Sequence, residues 1–215
     1  MRKSVQAGLL FSISCLFAMP LQSEERQAMQ EDNQHVRRWN GFANNLLKLH
    51  ERLTSQQIHV IKTRMGGYAH LSNFYKEQQY INKKSGKLIS QVQWEKAYPD
   101  NLHTIEVYIY DKYGRVTRDY SAAYLPEYRN APTQTLISLH VYNGLLHAFR
   151  SFDASGDHIL DRCTGRYNAK EINILLDEDE LYEGQFSNSG VMQSDTYKEC
   201  FKGLPATVGK YITPQ

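Results

Sequence analysis

Apolar positions recur every three or four residues early in the chain and every second residue later on, and this change of period divides the sequence. From Glu24 to about Leu53, the residues Val36, Trp39, Phe42, Leu46, Leu49 and Leu53 fall on one side of a helical wheel, which predicts an amphipathic helix with one buried face. Two readings fit Thr54 to Met65. Thr54 and Gln57 match a capping box that would carry the helical region to residue 65, whereas Ile58, Val60, Ile61 and Thr63 have strand character. Gly66-Gly67 is expected to end whichever element forms.

Alternation follows the glycine pair. Segments near Phe74–Ile81, Leu88–Glu95, His103–Tyr110, Arg115–Tyr124, Thr135–Tyr142 and Leu145–Phe152 read as strands, with further strands near Ile159–Cys163 and Ile172–Leu176. The intervening turns, at Ser85-Gly86, Pro99-Asp100, Asp111 to Gly114 and Asn143-Gly144, are too short for parallel crossovers, so the strands should form a meander. Ser194 to Phe201 reads as a short helix ahead of Gly203. The expected fold is α+β: an N-terminal amphipathic helix on a twisted antiparallel β-meander of about six to eight strands, with a short C-terminal helix. An up-and-down β-barrel is the alternative.

Met1-Arg2-Lys3, an apolar run from Ala7 to Met19, and Pro20 before the small residue Ser23 have the layout of a secretory leader. The domain boundaries that follow are a cleaved signal peptide at 1–23 and a single mature domain at 24–215. Within it lie a helical region at 24–65, a sheet at 68–176 and a C-terminal segment at 177–215. A periplasmic or secreted location is expected, and we read the compact leader as bacterial. Removing Arg2 and Lys3 from the 25 basic residues leaves 23, equal to the 23 acidic ones, so no basic excess points to nucleic acid, and no membrane span is expected after the leader. With Cys15 inside the leader, Cys163 and Cys200 make an even pair that reads as a disulfide in an oxidising compartment; free thiols or a metal pair are the alternative.

Register arguments nominate chemistry. A two-residue turn at Asn143-Gly144 would set Tyr142 opposite Leu145, Ser138 opposite Phe149, and His140 opposite His147, close enough to share zinc or copper if His103 or a carboxylate supplied a third ligand. The turn at Asp111–Gly114 would set Ile109 opposite Val116, Ile105 opposite Tyr120, and Glu106 opposite Asp119, a carboxylate pair suited to proton sharing or a hard cation. Asp153, Ser155, Asp157 and Asp161 resemble a short calcium loop, although His158 and Thr164 stand where an EF-hand needs glycine and glutamate. The acidic run Asp177 to Glu180 reads as a solvated loop. Tyr110 to Val116 resembles one copy of the YD repeat of long bacterial surface proteins, without the tandem array that defines that family.

No nucleophile elbow, phosphate loop, His-Glu-x-x-His helix or Cys-x-x-Cys is present, and no cofactor is implied beyond a zinc or calcium ion. The 15 tyrosines suggest a contact surface, with Tyr108, Tyr110, Tyr124, Tyr128 and Tyr142 as candidates. The expected function is an exported binding or interaction module of a bacterial envelope, taking a protein, peptide or glycan ligand. A metal-dependent hydrolase or metal-handling protein on the histidine pair is the second reading, and a calcium-stabilised surface domain the third.

Overall fold

The computed structural model describes residues 33–125, 131–186 and 190–215. The leader region lies outside them, as does Tyr128. Helix α1 spans Gln34–Ser55, capped by Asn33, whose side chain accepts the His35 backbone N–H at 2.8 Å. It buries Val36, Phe42, Ala43, Leu46, Leu49 and His50, the face that the helical spacing predicts.

Thr54 closes this helix instead of extending it: its hydroxyl donates to the His50 carbonyl at 2.9 Å, and Gln56 is the C-cap. Strand β1 (His59–Tyr68) then begins, so the helical region stops ten residues short of position 65. The run Ile58–Thr63 is rich in β-branched side chains, which favour the extended chain once helical capping is complete. Gly66 and Gly67 lie inside β1 and do not end it. The Tyr75 ring passes over Gly66, and the Leu71 carbonyl oxygen lies 2.2 Å from where a Cβ on Gly67 would stand, so neither position has room for a side chain.

Eight more strands follow: β2 (Leu71–Asn82), β3 (Leu88–Glu95), β4 (Leu102–Tyr110), β5 (Val116–Ala123), β6 (Gln134–Asn143), β7 (Leu146–Phe152), β8 (His158–Tyr167) and β9 (Lys170–Asp177). All nine pair antiparallel in sequence order. β1 and β9 are the two edges, so the sheet is open and the barrel alternative does not hold. Helix α2 (Glu178–Phe186) takes up most of the acidic run expected to be a loop. Glu178, Asp179 and Glu180 fill its first turn, where the helix dipole favours negative charge. Asp177 and Glu180 each accept the other's backbone N–H, at 3.0 and 3.1 Å, in a reciprocal cap. Helix α3 (Asp195–Cys200) is capped by Ser194 and delivers Cys200 to Cys163.

Among the described residues, α1, α2 and α3 pack on the same face of the sheet. Under α1 the core comprises Leu46, Val92, Ile105, Val107, Tyr120 and Ile137, all essentially without solvent contact. Under α2 and α3 a second cluster gathers Leu146, Ala148, Leu176, Leu181, Tyr197 and the Cys163–Cys200 disulfide. No helix among the described residues is long and apolar enough to cross a membrane.

Candidate functional site

Alternation along each strand puts one set of polar side chains on the face that carries no helix. The two diagnostic hairpins both close differently from the sequence expectation. At the β6–β7 turn, Gly144 (φ 62°) and Leu145 form the two-residue loop and Asn143 pairs with Leu146. Asn143 is held in the ladder because its side-chain amide donates to the carbonyls of Glu199, Cys200 and Lys202, closing the end of α3. Tyr142 therefore faces His147, His140 faces Phe149 and Ser138 faces Ser151.

At the β4–β5 turn, Asp111 accepts the backbone N–H groups of Tyr113 and Arg115, and the ladder skips Thr117. Tyr110 then faces Val116, Tyr108 faces Asp119, Glu106 faces Ser121 and Ile105 faces Ala122. The facing Glu106–Asp119 pair is thus not formed. Glu106 instead accepts the Tyr108 hydroxyl at 2.5 Å.

Apart from Val116, which the bulge moves by one residue, both displacements are of two residues, which changes partners but not faces. His140 and His147 remain on one face as diagonal neighbours, joined by a 3.0 Å hydrogen bond from one ring to the other. The carboxylate reaching His140 is Asp119: its Oδ2 lies 2.5 Å from His140 Nε2. A carboxylate only accepts, so His140 Nε2 carries the proton. In the tautomer where His140 Nδ1 accepts from His147 Nε2–H, a lone pair is left at His147 Nδ1. That atom has no hydrogen-bond partner among the described residues.

The ring of Tyr142 stacks on His147 with centroids 4.5 Å apart and planes within 3°. The Arg115 guanidinium also lies over the Tyr142 ring, 4.6 Å from its centroid. Burial lowers the His147 pKa, and the nearness of His140 and Arg162 lowers it further against a smaller opposing pull from Asp119. Arg162 stands opposite Phe149 on β8, is exposed, and makes no ion pair among the described residues.

The other nominated residues are held elsewhere. His103, proposed as a third ligand, lies on β4, three strands from β7. It is buried, its Nε2 lies 2.5 Å from the Tyr68 hydroxyl, and its ring is stacked on Tyr75. In the calcium-like loop, Asp153 turns back to accept the N–H groups of Ser155 and Asp157, and the Ser155 hydroxyl accepts from Trp39 Nε1 at 3.1 Å.

Asp161 is fully buried on the helix side. Arg150 grips it with two 2.9 Å bonds, the Tyr197 hydroxyl donates to it at 2.6 Å, and His158 Nε2 lies 2.8 Å away. Burial alone would raise the Asp161 pKa, but the His158 and Arg150 contacts hold it below the usual carboxylate range. The four calcium candidates therefore do not converge, and no group of three or more His, Cys, Asp or Glu side chains able to hold an ion occurs among the described residues.

The tyrosines divide as well. Tyr108 and Tyr142 share the helix-free face, while Tyr110 spends its hydroxyl on the Leu88 carbonyl at 2.9 Å. Tyr124 packs against the core, where burial pushes its pKa up to about 12.

Sequence reasoning placed the two histidines on one face and named Asp119, but attached Asp119 to Glu106. Arg162 was missed. Its position two residues before Thr164, which faces His147, is readable only once the β7–β8 register is known. In comparisons with protein-family models, curated proteins and solved structures, the chain matches none.

Proposed function

We propose that the protein is an exported, ligand-holding module of a bacterial cell envelope, and that it takes its ligand on the helix-free face around His147. The observation that carries this reading is the open valence at His147 Nδ1, backed by the Asp119–His140 chain and flanked by the Arg162 cation, which makes no ion pair among the described residues. A lone pair beside a cation selects a partner that presents an O–H or N–H donor next to an anionic group, as an acidic glycan or a carboxylate-bearing peptide does. The stacked Tyr142 adds a rigid aromatic wall. A disulfide-bonded domain preceded by a leader-like sequence suits an oxidising compartment outside the cytosol.

The test is a calorimetric and NMR titration with acidic envelope-glycan fragments and carboxylate-bearing peptides. His147→Ala and Arg162→Ala should each weaken binding at least tenfold, and the melting temperature should hold. Ligand binding that is unchanged in both variants would refute this placement.

A further inference from the structure

The chain carries a formal net charge of only +2, yet its charge is not spread evenly along the sheet. From Gln57 to Lys87, which covers β1, β2 and the turn after it, stand six bases (Lys62, Arg64, Lys76, Lys83, Lys84, Lys87) and the single acid Glu77, a net of +5. From Lys170 to Phe186, which covers β9 and α2, stand six acids (Glu171, Asp177, Glu178, Asp179, Glu180, Glu183) and the single base Lys170, a net of −5. These two segments form the opposite edges of the open sheet.

Both edges also expose large apolar side chains. Ile58 is 80% exposed at the basic edge, where Ile61 and Met65 of β1 point to the helix side beyond the reach of α1. Leu175, Tyr182 and Phe186 are exposed at the acidic edge, Phe186 at 75%. An edge strand carries a row of unpaired backbone groups, and exposed apolar residues make it adhesive.

We infer that the partner of β1 is β9 of a second copy of this chain, so that copies join head to tail into a continuous sheet. Charge decides between the possible pairings. Joining β1 to β1 would set Lys62 and Arg64 against their own kind, and joining β9 to β9 would oppose two acidic segments; only the β1–β9 junction brings +5 to −5. Being odd-numbered strands of an antiparallel meander, β1 and β9 run in the same direction, so a parallel junction keeps all helices on one side. There the Tyr182 and Phe186 side chains of one copy come beside Ile61 and Met65 of the next. Such a contact is heterologous and leaves a fresh edge at each end, so it propagates unless the rotation per copy closes a ring.

The experiment measures mass against concentration by sedimentation and light scattering, on the disulfide-bonded chain, in low salt and at about 0.5 M salt, where screening is strong. The expected result is growth beyond a dimer in low salt and at least a tenfold weaker association in high salt. Two variants fix the junction: Lys62→Glu, Lys83→Glu and Lys84→Glu together take the basic edge from +5 to −1, so that both edges are acidic, and Glu171→Lys, Asp179→Lys and Glu183→Lys together take the acidic edge from −5 to +1, so that both edges are basic. All six positions are exposed, and neither set touches the Arg64–Glu77 contact or the Asp177–Glu180 cap of α2. Each variant alone should stay monomeric, and an equimolar mixture should assemble again, since every junction between unlike variants is complementary. A wild-type chain that remains monomeric at millimolar concentration, a variant that assembles alone, or a mixture that does not assemble would overturn the inference.

Discussion

Two histidine–aspartate groups occupy opposite faces of the same sheet, and they differ in what they leave unused. On the helix side, Asp161 is consumed: two bonds from Arg150, one from Tyr197 and a contact with His158, with Arg150 also donating to the Pro205 carbonyl at 3.1 Å. That group joins β7, β8, α3 and the C-terminal segment, and it lies beside the disulfide that makes the same connection. On the other face, Asp119, His140 and His147 form a line and not a ring, and the line ends on an open nitrogen. A closed polar group of this kind fixes structure, whereas one with an unfilled valence on an uncovered face is available to a ligand.

The difference has a size. Asp161→Ala leaves the Arg150 guanidinium buried without its counter-charge and should lower unfolding free energy by about 3–5 kcal/mol in urea denaturation. Asp119→Asn, at a side chain one-quarter exposed, should change it by no more than about 1 kcal/mol. Equal losses at the two sites would erase the distinction between them.

The disulfide comes next. Cys163→Ala with Cys200→Ala opens a loop of 37 residues and should lose roughly 4 kcal/mol by the loop-entropy relation, with the loss concentrated in α3 and β8 by hydrogen exchange. If Arg150 and Asp161 already hold that segment, combining Asp161→Ala with the cysteine pair should cost less than the sum of the two, since both act on one connection.

A smaller effect comes from pH. His50 and His147 both have pKa values lowered first by burial, His50 being bonded to Ser90 at 2.7 Å. A folded pKa below the unfolded value means that the unfolded chain takes up protons first as pH falls. Stability from these groups is thus complete above about pH 6.5 and declines below it. His147→Gln should shallow that decline, while His158→Gln, beside the closed group, should act mainly through the Asp161 contact at lower pH. The smallest expected effect is that of EDTA, which should leave the melting temperature unchanged; a fall in the melting temperature would restore a metal reading of the helix-free face.

The sheet was legible because alternation survives errors of register. Both hairpins were misread by two residues, and in each the side chains still emerged on the expected faces. The partners were not legible, because they depend on long-range ties: Asn143 is drawn into its strand by carbonyls about 60 residues away in sequence, as in its bond to Lys202. The Thr54–Met65 stretch remained ambiguous since its local propensities conflict, and pairing with β2 decides it. Asp161 looked like a calcium ligand because its neighbours in sequence are oxygen-rich. Its actual partners, Arg150 and Tyr197, come from another strand and another helix. The segregation of charge to the two edges was present in the sequence, but an overall net charge of only +2 conceals it until the strand order shows which segments are the edges.

The central claim is that the Asp119–His140–His147 line ends on a bare nitrogen. Imidazole 15N–1H correlation spectra at pH 7.5 read this directly. The account predicts protons on Nε2 of both His140 and His147, an unprotonated Nδ1 on His147, and loss of that tautomer order in Asp119→Asn. A His147 ring protonated at Nδ1 and bare at Nε2 would contradict it.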